Sequence, residues 1–141
     1  MTTFVVASCV AGVLLTLALV HVYWAAGGTA GVAAAVPTRA GGTAVFTPRR
    51  AATGAVAVGL GLAAALVLGR AGVVPRVGPP GVYRWGTWAL GAGFALRAVG
   101  EFRYVGLFKR ERHTRFARFD TRVYTPLCAA LAAAVFYLAA I

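Results

Sequence analysis

Four stretches of this chain are apolar over a membrane's thickness, and three polar or Pro/Gly-rich breaks separate them. The first runs from Phe4 to Ala25. At 1.5 Å per residue, about 20 apolar residues cross the hydrocarbon of a bilayer. The others cover about 51–69, 82–100 and 121–141. No Lys or Arg precedes the first run, and it is too long for the apolar region of a signal peptide, so it is expected to stay as a span. It closes on His21-Val22-Tyr23-Trp24, where Tyr and Trp suit the membrane interface, and Gly27-Gly28 can end its helix.

The breaks have different characters. Residues 29–50 hold Pro37, Gly41-Gly42 and Pro48, and their one apolar run, Ala30–Val36, is too short to span. Residues 71–81, with Pro75 and Pro79-Pro80, exclude a continuous helix. Residues 102–122 are basic, and pieces of them can lie helically on the membrane surface. Asp120 or Thr121 can cap the fourth span, with Pro126 in its first turns. Small residues recur every fourth position: Ser8, Gly12 and Thr16; Gly61, Ala65 and Gly69; Ala89 and Gly93, leading to Arg97. Such stripes predict close helix packing. The expected fold is all-α, an integral membrane four-helix bundle forming a single transmembrane domain over residues 1–141.

Composition strengthens this reading. The chain is 60% hydrophobic and only 12% charged, about half the usual charged fraction. A soluble core of this size could not bury so much apolar side chain. The net charge of +11 would suit nucleic acid, but the cations flank apolar runs, which fits membrane topology and anionic lipid instead. Neither the two cysteines nor the two histidines have metal-ligand spacing, so no metal or cofactor is expected. Cys9 and Cys128 fall at different depths and are expected as two free thiols.

Charge also orients the chain. The 29–50 and 102–122 breaks carry ten basic residues, against Arg70, Arg76 and Arg84 around the middle break. The positive-inside rule then places the first and third breaks in the cytoplasm and both termini outside, in the cytoplasmic (inner) membrane. His21, Tyr23, Trp24, Arg97, Glu101, Arg103, Tyr104, Asp120 and Tyr124 fall in one layer at the cytoplasmic interface, and they are the candidate ligand-binding residues.

Arg97 and Glu101, one helical turn apart, are the sharpest pair. An arginine at mid-bilayer costs about 2.5–3.5 kcal/mol, less near the interface. Two readings stay open: a buried polar site for an anionic or polar group, or a structural ion pair that snorkels toward water. Arg97 is expected to point inward, to Glu101 or to His21, Tyr23 or Tyr124. His21 can relay protons near neutral pH or serve as an interfacial hydrogen-bonding residue. Arg103 and Tyr104 can hold a phosphate or carboxylate.

Three blocks carry a family resemblance: H-V-Y-W-A-A-G-G at His21–Gly28, R-A-V-G-E-F-R-Y-V-G-L-F-K-R at Arg97–Arg110, and F-A-R-F-D-T-R-V-Y-T-P-L-C at Phe116–Cys128. In these the chain resembles a domain of unknown function numbered thirty-nine ninety-five, whose members are small bacterial membrane proteins with about four helices. Glu101 stands where that family's block has Asp, and the carboxylate is kept. The resemblance implies fold and location and brings no activity.

Three function classes follow. A binding or structural membrane protein would hold a lipid head group, expected to be anionic, or a partner: a second copy or another membrane protein. A small membrane enzyme on an amphipathic lipid-like substrate would use His21, Glu101 and Tyr104 as acid/base groups. A transporter is weakest, because no charge lies mid-span in the first, second or fourth run. No nucleophile–base–acid set is readable, and the binding class is preferred.

Overall fold

The computed structural model describes residues 1–39 and 41–141. Its elements are α1 (Thr2–Ala25), the short α2 (Val32–Ala35), α3 (Arg50–Arg70), α4 (Pro80–Val99), α5 (Arg115–Phe119), a π-helical turn (Asp120–Tyr124) and α6 (Thr125–Ala140). Among the described residues there is no strand, only an isolated antiparallel bridge between Thr38 and Ala44. The fold is all-helical, as the hydropathy pattern predicts.

Three rods are long and apolar enough to cross a membrane: α1, α3, and the continuous 26 residues of α5, the π turn and α6. The rod α4 has 20 residues, about 30 Å at 1.5 Å each. Tyr83, Arg84 and Trp85 in its first turns and Arg97 in its last dilute its apolar character. Pro80 opens it, where a missing N–H is harmless.

The packing runs in pairs, α1 along α3 and α4 along α6, with α3 touching α4 and α1 touching α6. The core gathers Val10, Leu14, Val67, Leu131, Val135 and Leu138 with small Ala7, Ala11 and Ala64 between them. Arg70 Nη2 donates to Ala139 O at 3.3 Å, which brings the ends of α3 and α6 together. Tyr124 Oη donates to Ala34 O at 3.2 Å at the other end. One end, called here the basic end, thus holds the finish of α1 and α4, the start of α3 and α5, and eleven of the fourteen cations.

Most positions of the small-residue stripes do not make the helix contacts expected of them, and only Gly69 does. Space is open around Gly12, Gly61 and Gly93, and Thr16, Ala65 and Ala89 are exposed. Close approach occurs at Gly69, the last residue of the second stripe, against the Tyr83 ring, and at Gly91, outside the stripes, against the Phe136 ring. Core volume decides this: a large ring needs a facing hollow, and each of these glycines provides one.

The expected start of the fourth span also moves. Thr114 caps the rod, its Oγ1 accepting from Ala117 N at 3.1 Å, so Asp120 lies inside a helix and does not cap one. The proline ring at 126 cannot accept a normal turn below it, and the rod widens there: Thr125 N–H reaches back five residues to Asp120 O. Cys9 and Cys128 are both free.

Candidate functional site

The loop after α4 folds back on that helix. Gly100 and Gly106 have φ of 87° and 89° and pack backbone against backbone, so a Cβ on either would collide with the other's segment. Leu107 N–H then bonds Ala98 O at 2.9 Å. Arg110 and Glu111 N–H groups both bond Arg103 O, at 3.1 and 2.9 Å. The result is a closed loop that aims Gly106 N–H and the Lys109 side chain inward.

Asp120 receives them. Its Oδ2 accepts from Gly106 N at 2.9 Å, Lys109 Nζ at 2.9 Å and Thr125 Oγ1 at 3.1 Å, while Oδ1 accepts from Arg97 Nη2 at 2.8 Å. Asp120 is fully buried and Lys109 is 3% exposed. The π turn explains the Thr125 contact, because side chains five apart meet only where the helix is widened. Lys109 Nζ also donates to Gly106 O at 3.0 Å. Every contact to the carboxylate comes from a donor, so it acts as the ionised, acceptor-only form. Two cations share one anion, and the cluster keeps a net positive charge.

This geometry corrects the expected Arg97 pairing. Arg97 bonds neither Glu101 nor His21, Tyr23 or Tyr124; its partner is Asp120, 23 residues away in sequence. The helix ends at Val99, so one-turn helical spacing does not reach Glu101. The Glu101 carboxylate instead accepts from the backbone N–H groups of Arg103 and Tyr104 and shapes the loop. Arg103 lies over the Tyr104 ring, 5.1 Å from its centroid.

The remaining candidates hold other turns. Trp24 Nε1 donates to Ala30 O at 2.8 Å, and Tyr23 Oη accepts from Ala30 N at 3.4 Å. The Tyr23 ring also covers Gly28, where a Cβ would not fit. His21 Nδ1 donates to Leu17 O at 2.8 Å, which fixes its tautomer and leaves Nε2 for other partners. Tyr124 lies against Phe116 and Phe119, with centroids at 6.1 and 6.4 Å.

Three open clefts mark the basic end. One of about 700 Å³ is lined by His21, Trp24, Val32, Phe46, Arg50 and Val56, among others. A second of about 520 Å³ is lined by Arg97, Glu101, Leu96, Phe116, Ala35 and Phe46, among others. A third of about 770 Å³ includes Arg39, Glu111, His113 and Arg115. His21 and Glu101 thus line different clefts, and Tyr104 lines none of the three. Among the described residues no three His, Cys, Asp or Glu side chains gather to hold a metal.

The sequence pattern does not single out Lys109, Gly106, Thr125 or Phe46. A signal for the first was present: Lys109 is the only lysine, within a run of arginines, and two of the chain's three acids, Glu111 and Asp120, follow it.

Fold and site together define an all-helical protein whose long apolar helices suit a membrane and whose basic end is organised around one buried carboxylate. The chain belongs to the family described as Protein of unknown function (DUF3995), whose model matches residues 14–135. No curated protein and no solved structure matches it.

Proposed function

We propose that this is a four-helix integral membrane protein of the cytoplasmic membrane, with both termini outside, whose basic end binds the head group of an anionic lipid at Arg97. Three rods have the apolar length to span. The fourth, α4, has the length, and its Trp85 and Trp88 suit the interface at its start. Eleven cations at one end against three at the other favour that end inside.

One observation carries the head-group reading. Arg97 gives Nη2 to Asp120, while its Nη1 is buried with no hydrogen-bond partner among the described residues. A buried donor without an acceptor costs about 1–3 kcal/mol, more for a charged group. Arg97 also keeps 35% of its side chain exposed and lines the 520 Å³ cleft, where an anionic oxygen would accept from the guanidinium once the side chain turns Nη1 toward it.

The test is the lipid that co-purifies with the protein, identified by mass spectrometry for wild type and for Arg97→Lys. Lysine keeps a cation for Asp120 but cannot serve two acceptors in Arg97's geometry. Enrichment of anionic phospholipid in wild type and its loss in Arg97→Lys are expected. Equal lipid profiles in the two proteins would remove Arg97 as the head-group residue. A chemically modified head group would favour the membrane-enzyme reading instead.

A further inference from the structure

The 700 and 520 Å³ clefts share two wall residues, Ala35 and Phe46. Phe46 lines the third cleft as well and is 54% exposed. It therefore stands where the three clefts meet.

The two clefts differ in what they offer. Beside Phe46, the larger one presents Val32, Ala35 and Val56, side chains with no hydrogen-bonding atom. Val56 lies six residues inside α3, about 9 Å along the helix. His21 lies four residues before the end of α1, about 6 Å. This cleft thus extends below the helix ends, into the depth that lipid chains occupy if these rods span. Arg49 and Arg50 stand at its polar rim. The smaller cleft presents the Arg97 guanidinium.

We infer that these two clefts are arms of one ligand site, which takes a single-chain amphiphile with a phosphate-class head: the chain between α1 and α3, the head at Arg97. This rests on the reading of Arg97 as a head-group residue. The chain arm's volume is within the roughly 300–1,000 Å³ of pockets that hold one small ligand. An apolar wall leading to a cation matches an amphiphile in both parts, and Arg49 and Arg50 add positive field where the chain would meet its head. Glu101, on the rim of the head arm, accepts from two backbone N–H groups, which disperses its charge away from an incoming anion.

Trp24 lines the chain arm, whereas Trp85 and Trp88 are at the start of α4, at the opposite end. The full-length protein carrying Trp85→Phe and Trp88→Phe, in nanodiscs of unbrominated lipid, reports on that arm alone. Added bromododecyl phosphate should quench Trp24 saturably, and bromododecyl trimethylammonium should quench only in proportion to its partitioning. Filling the arm with Ala52→Phe and Val56→Phe, both at exposed positions, should weaken the phosphate amphiphile by about tenfold or more, a difference of about 1.4 kcal/mol. Proportional quenching by both amphiphiles overturns the inference. Arg97-dependent binding of the phosphate amphiphile without Trp24 quenching also overturns it, and leaves the head-group reading standing. Saturable quenching that the filled arm abolishes but Arg97→Lys does not touch removes Arg97 from the site, and both readings with it.

Discussion

Arg97 and Asp120 meet at 2.8 Å, the one from the last turn of α4 and the other from the π turn inside the final rod. Their contact spans 23 residues and ties the loop between them to both helices. A double-mutant cycle on Arg97→Ala and Asp120→Ala should show coupling of about 0.5–3 kcal/mol in detergent-solubilised protein. The parallel cycle with Glu101→Gln should be additive within about 0.5 kcal/mol, since Glu101 bonds the backbone of its own loop. Coupling to Glu101 as large as to Asp120 would contradict the structure.

Asp120→Asn removes the only counter-charge of Lys109 among the described residues while leaving that ammonium buried. Breaking a buried ion pair by removing one partner costs about 3–5 kcal/mol. Thermal unfolding should show a much larger loss for Asp120→Asn than for Glu101→Gln. Equal losses would mean that the buried cluster does not hold the basic end together.

Gly106→Ala should destabilise by more than about 1 kcal/mol, because φ is positive there and the new Cβ meets the backbone of Val99 and Gly100. Gly93→Ala should stay within about 0.5 kcal/mol of wild type, since nothing lies near its added Cβ. The reverse order would restore the packing role that the stripe through Gly93 suggests in sequence.

Orientation is open to a direct measurement. A phosphatase fused after Ile141 should be active, and a fluorescent reporter that matures only in the cytoplasm should stay dark. The opposite pair of results would invert the topology and place the basic end outside.

The small-residue stripes show where reading the sequence falls short. Their spacing says which residues share a helix face, but not which face meets another helix. Gly12, Gly61 and Gly93 all turn to open space; of the stripe glycines only Gly69 receives a ring, that of Tyr83, while Gly91, outside the stripes, receives Phe136. The Arg97–Glu101 pair failed for a related reason. One-turn spacing holds only while the helix continues, and Gly100 ends it.

By itself the sequence determined the all-helical class, the stretches that form the long apolar helices apart from the early start of the last rod at Arg115, and the pooling of cations at one end. These are local properties: a helix satisfies its own backbone, and apolar length can be counted along one segment. Only the tertiary structure decided that Asp120 is the carboxylate at the centre, with Arg97, Gly106, Lys109 and Thr125 around it. Those partners come from the end of one helix, a closed loop and a widened turn. Each is unremarkable in its own stretch of sequence, and burial makes them a site only when the loop folds back between the two helices.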